Sequence, residues 1–268
     1  MGNGTDTMEQ LDTAWQAAGN DFPADKRVDS PTAPCPLDAG PKKPDIPDEC
    51  KFLTQQQDNA KMPKEAYDRL RSGKATTSGK QDAPGYKWPN GSTSPPASVQ
   101  TVDVDGQKVK VYSPTNASDQ QNLPTTDQVA ESLRVLPPDQ RSTVKDVVLS
   151  PNPDADGNVG GRGGGGTVEM YKTGGTPTQR NVDYRMTHET GHTYQETKWP
   201  GPEDVKARGA AAKADGNSPS AYAGNNTGDD FCEFLNVYNA TKGTKCEDAA
   251  RSMYPKRYAL MDKYAGKS

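Results

Sequence analysis

Apolar residues follow two rhythms along this chain, and both begin only after its first third. Over residues 101–112 (TVDVDGQKVKVY) apolar and polar positions alternate around Asp105-Gly106, which predicts two strands joined by a tight hairpin. Residues 145–150 (KDVVLS) and 167–172 (TVEMYK) read as further strands, separated by a Gly-rich stretch, 151–166, that reads as a flexible loop. Residues 126–136 put Val129, Leu133 and Leu136 on one helical stripe, stopped by Pro137-Pro138. Beyond residue 180 the spacing is helical, over 182–196, 203–214, 229–241 and 247–264. Strands ahead of helices predict an α+β domain.

The first third has neither rhythm. Short helices are predicted over 7–19, with Met8, Leu11, Trp15 and Ala18 on one face, and over 63–72, where Pro63 stands at the start. Residues 23–47 read as irregular and 73–98 as a Gly/Ser/Thr/Pro linker. Residues 1–98 hold six of the Ile, Leu and Val residues against twenty-one in the rest, and 12 of the 23 prolines. So few large aliphatics bury little area to offset ordering entropy. The packed domain is therefore expected at 99–268, with 1–98 an accessory or linker region.

Composition narrows the function classes. A net charge of −4 argues against a nucleic-acid partner, which calls for a basic face. No apolar run approaches the ~20 residues of a membrane span, and the N-terminus lacks the basic and apolar regions of a signal peptide. Four cysteines sit as two near pairs, which suggests loops closed by Cys35–Cys50 and Cys232–Cys246 in an oxidising compartment. Disulfides without a signal peptide point to secretion, or delivery to a target cell, by a specialised route.

The chain's two histidines stand in His188-Glu189-Thr190-Gly191-His192. On a helix, positions i and i+4 share a face, so both imidazoles can reach one zinc ion at ~2.0–2.1 Å. Glu189 is placed to take a proton from a water whose pKa zinc lowers towards ~7. Chance alone sets two histidines four apart about once in a hundred such chains. With no third histidine, the third protein ligand must be Asp, Glu or Cys, and three carboxylates of Thr227–Leu235 (TGDDFCEFL) compete for it: Asp229, Asp230 and Glu233. Asp229 and Glu233 share a face: one is expected to ligate and the other to support a histidine ring. Asp230 lies off that face and reads as a solvated or capping charge. Two other stretches carry little. Asp154–Asn158 departs from a calcium loop at its glycine and twelfth position, and the glycines of 160–166 lack a following Lys-Ser/Thr.

Gly216–Tyr238 (GNSPSAYAGNNTGDDFCEFLNVY), placed after HETGH, resembles the catalytic domain of the anthrax lethal factor family of zinc metallopeptidases. GGTVEMY and LRVLPP have counterparts upstream in related toxin-type peptidases, so the resemblance covers roughly 125–265. It implies a zincin-like domain with a short sheet and an active-site helix. His188 and His192 would be zinc ligands, Glu189 the general base and Tyr222 a helper at the oxyanion or leaving amine. Asp229 falls on the third ligand, usually Glu in the family, and Glu233 on a second acid one turn on. The strand 167–172 would be the edge along which an extended substrate pairs. The expected function is a zinc metallopeptidase, a toxin or effector acting on a protein or peptide, with a delivery or immunity protein as a further partner. Alternatives are a peptidase of cell-wall cross-links and a zinc-binding module without turnover.

Overall fold

The structure, a computed structural model, describes residues 46–266 apart from 56, 153–159 and 225. The predicted helix 7–19, Cys35 and the calcium-like stretch 154–158 lie outside the described residues. The strands are β1 (Ala75–Thr77), β2 (Gln81–Ala83), β3 (Ala97–Val104), β4 (Gln107–Pro114), β5 (Asp146–Ser150), β6 (Gly161–Gly164) and β7 (Thr167–Tyr171). The helices of seven residues or more are α1 (Lys64–Leu70), α2 (Thr126–Leu133), α3 (Gln179–Lys198), α4 (Pro202–Asp215), α5 (Thr227–Thr241), α6 (Glu247–Met253) and α7 (Pro255–Ala265), with single turns at Ala117–Gln120 and Pro138–Arg141. The protein is thus mixed α+β.

One sheet runs in the order β1-β3-β4-β5-β7-β6, with β2 pairing β3 beside β1. Asp105 and Gly106 take φ of 52° and 90°, so β3 and β4 close as the hairpin that Asp-Gly predicts. β5 lies parallel to both β4 and β7, and β6 returns antiparallel to β7. One sheet face carries Val109, Val111, Val147, Leu149, Val168 and Met170 onto Val129 and Leu133 of α2 and Val182 and Met186 of α3. The other face is covered near β3–β5 by the loop bearing Tyr86 and Trp88, with Tyr86 stacked on Tyr112 at 4.2 Å. Beyond that loop it opens into a trough of about 490 Å³. A second apolar cluster joins the helices: Tyr194 and Trp199 meet Phe231, Phe234 and Leu235 of α5 and Tyr258 and Tyr264 of α7.

Several sequence expectations need correction. Residues 73–98 are no linker: β1 and β2 extend the sheet, and Trp88 is buried with its indole N–H donated to Pro95 O at 2.8 Å. The packing boundary also falls earlier than 98/99, since Leu53, Met62 and Tyr67 belong to the helical cluster. Residues 44–268 form one compact unit. The disulfide is Cys50–Cys246, 196 residues apart, and Cys232 is a buried free thiol, so neither near-neighbour pairing forms. The strand 167–172 is internal; the Gly-rich stretch read as a loop supplies the edge strand β6. Finally, 247–264 is two helices, because Pro255 has no N–H to continue the first and instead opens the second.

Candidate metal centre

α3 packs one side on the sheet and the other on α5, so residues 188–192 lie between the two cores. Gly191 permits that closeness: a Cβ there would sit 2.7 Å from Cys232 Sγ of α5. β6 covers Glu189 from the sheet side. A Cβ at Gly161 would meet Glu189 Oε1 at 2.7 Å, and one at Gly163 would meet the Glu189 backbone oxygen at 1.9 Å. The glycines are therefore needed for contact with the helix.

His188 and His192 are one turn apart on α3, their ring centroids separated by 5.3 Å. Each has its Nδ1 engaged. His188 Nδ1 lies 2.7 Å from Glu233 Oε1, and His192 Nδ1 lies 3.1 Å from the Gln195 amide. The Glu233 carboxylate can only accept, so His188 Nδ1 donates to it and Nε2 is the atom left to a metal; a Gln195 amide turned with its oxygen to the ring would set His192 the same way. Those Nε2 atoms face one carboxylate oxygen, Asp229 Oδ1, at 3.6 Å and 3.4 Å. Both separations are close to the ~3.4 Å between neighbouring ligand atoms around a tetrahedral metal ion with bonds of about 2.1 Å.

Asp229 is aimed from the N-terminus of α5. Asn226 caps that helix, accepting from the Asp229 N–H at 2.8 Å, and its amide donates to Asp229 Oδ2 at 2.8 Å, leaving Oδ1 for the histidines. Burial would raise the Asp229 pKa, but hydrogen bonds from both imidazoles outweigh it and hold the carboxyl well below the usual range. Burial likewise disfavours a charged His188, yet its bonds to Asp229 and Glu233 push its pKa up to about 10.

Cys232 is another donor in reach. His188, His192 and Cys232 bring ligand atoms within 4.8 Å of one another, a group able to hold a metal ion. Its thiol is fully buried, which raises its pKa well above the ordinary value and works against the thiolate a metal needs. It also lies by Gln195, on the Nδ1 side of His192. Asp229 lies instead on the Nε2 side of both rings.

No family model, curated protein or solved structure matches this chain. Its chemistry is therefore argued from its own residues.

Glu233, wholly buried, accepts from His188, from the Tyr184 hydroxyl at 2.7 Å, from the Ser220 hydroxyl and from the Ala60 N–H. Burial raises its pKa, but these bonds, led by that from His188, lower it overall. Its oxygens taken by these donors, Glu233 holds the Nδ1 side of the His188 ring, while Asp229 faces the Nε2 side. Tyr222 stands over the same ring, centroid to centroid 5.6 Å, and is partly exposed. Burial pushes its phenol up to about 12. Glu189 is buried, and burial raises its pKa. Asp230 is buried too, held by Arg257 Nε and Nη2 at 2.8 and 2.6 Å, which corrects its reading as a solvated or capping charge.

Sequence reasoning missed six contributors, Ser220 among them through its hydroxyl on Glu233. Tyr184, Arg185 and Gln195 lie one helical turn from His188, Glu189 and His192, so the 3.6-residue period had the information to find them. Arg185 donates to Tyr171 O at 2.9 Å and to Gly160 O, tying α3 to the ends of β6 and β7, and its charge acts on Glu189. Asn226 follows from its capping position. Ala60 acts through its backbone N–H, which no side-chain pattern announces.

Proposed function

We propose that this protein is a zinc metallopeptidase of the zincin kind, cleaving peptide bonds in a protein or peptide substrate as a toxin or effector. The observation that carries the reading is the convergence of His188 Nε2, His192 Nε2 and Asp229 Oδ1 beside a buried Glu189. The order of histidine helix, Tyr222 and Asp229 helix is what supports a place near the lethal factor family.

His188, His192 and Asp229 would hold the zinc ion, which when bound would supply Lewis-acid polarisation of the carbonyl and of the attacking water. Glu189 accepts the water's proton and delivers it to the leaving amine. Tyr222 stays protonated at neutral pH and donates to the oxyanion. Glu233 fixes the His188 ring through Nδ1. Substrate positioning falls to β6. Gly160 O accepts from Tyr171 N at 3.1 Å, so in this antiparallel ladder Gly161 and Gly163 turn their backbone groups outward. An extended peptide pairing there lies alongside Glu189.

Glu189→Ala is expected to keep zinc and to lower turnover of a peptide-library substrate by about 10²–10⁴-fold, the range of a lost general base. An unchanged rate with full zinc occupancy would falsify the enzyme reading and leave a zinc-binding module.

A further inference from the structure

Residues 57–60 cross the back of the centre, and every bond they make there lands on something the chemistry uses. Gln57 O accepts from Ala221 N and Asp58 O from Tyr222 N, each at 2.9 Å, so the backbone carrying the Tyr222 phenol is set by this segment. Ala60 N–H donates to Glu233 Oε2, the carboxylate behind His188. Ser220 binds the same oxygen and accepts from Ala223 N at 3.1 Å, locking Tyr222 and Glu233 into one network. Towards α1 the segment is held by Arg180 Nε, which donates to Met62 O at 2.7 Å. Towards the N-terminus it is held by the 3-10 turn Asp48–Leu53, whose Cys50 is bonded to Cys246 at the start of α6. None of the metal-facing side chains is on the segment; they belong to α3 and α5.

We infer that Gln57–Ala60 is a positioning strap for Tyr222 and Glu233, and that the Cys50–Cys246 disulfide makes its docking redox-dependent. The inference rests on the metallopeptidase reading for its effect on turnover, but not for its structural content. A dithiol reductant supplies two electrons and two protons: the S–S bond breaks, Cys50 and Cys246 become thiols, and the reductant leaves as its own disulfide. Cys50 is fully buried and Cys246 is 7% exposed, so a thiolate attacks the bond through local opening of the turn. Reduction then removes the covalent tie that brings the turn back, which favours the undocked strap, and the ligand set stays on its two helices. The oxidised form is the active one.

The zinc-loaded full chain is assayed before and after reduction by a dithiol, for backbone hydrogen exchange, zinc content and turnover. Ala60, Ala221 and Tyr222 amides are expected to lose protection on reduction while zinc stays bound. The kcat should fall about tenfold, the scale of a lost outer-shell partner, with a smaller change in KM. Ala60→Pro, which deletes the donor to Glu233 and leaves the disulfide intact, should lower kcat similarly in the oxidised state. Cys50→Ser/Cys246→Ser should match the reduced wild type and ignore the reductant. Unchanged protection at those three amides, or zinc lost together with protection, overturns the strap. If the oxidised protein cleaves no peptide, the peptidase reading fails, and hydrogen exchange still decides the strap.

Discussion

His188 turns Nδ1 to Glu233 and Nε2 to Asp229, and with a carboxylate on each side its charged form is favoured in the metal-free protein. Burial opposes that charge, but the two carboxylates outweigh it and set the pKa at about 10. A raised pKa means the proton must leave when zinc takes Nε2. Zinc affinity should therefore rise about tenfold per pH unit between pH 7 and the His188 pKa, with about one proton released. Calorimetry in buffers of different ionisation enthalpy measures that number, and a value near zero would exclude His188 as a ligand. The competing third donors separate as cleanly. Asp229→Ala should weaken zinc by more than Glu233→Gln, for which about 10–100-fold is expected, while Cys232→Ser should leave affinity unchanged. A loss confined to Cys232→Ser would give the position to the thiol. At this scale the sequence was informative where position rides on helical spacing: it set His188 and His192 on one face of a helix and Asp229 and Glu233 on one face of another, and the structure brings those faces together. It was silent on Ser220 and Ala60, which are near Glu233 only because distant segments meet.

β6 shows why glycine-rich strands are hard to read. A strand announces itself by alternating side chains, and Gly161, Gly163 and Gly164 have none. What keeps them free of side chains is the helix behind them, a tertiary fact. Gly163→Ala puts a methyl 1.9 Å from the Glu189 carbonyl oxygen and should destabilise the fold by ~1–3 kcal/mol, with loss of activity. Gly174→Ala, which meets no atom within 4 Å, should change neither. Urea unfolding of the two variants gives the comparison; equal midpoints would mean β6 can move away from α3 at little cost. The break between α6 and α7, by contrast, was written in Pro255 and only needed weighing against the apolar period that runs across it.

Across the whole molecule, counting aliphatics misplaced the domain boundary. The segment 46–98 packs with Cys50, Met62, Tyr67 and Trp88 in place of Ile, Leu and Val, so a tally of branched residues undervalues it. A chain of residues 99–268 loses β1 and β2 from the sheet and Leu53, Met62 and Tyr67 from the helical cluster. It is expected to show no cooperative thermal transition by circular dichroism; a transition near that of the full chain would restore the shorter domain. The 196-residue span of Cys50–Cys246 bears also on how the molecule is made. At 5–20 residues per second, Cys50 leaves the ribosome about 10–40 s before its partner. The histidines, Tyr222 and Asp229 are all synthesised in that interval. A nascent chain thus holds both histidines, Tyr222 and Asp229 while the bond that fastens its Asp48–Leu53 turn is still unavailable.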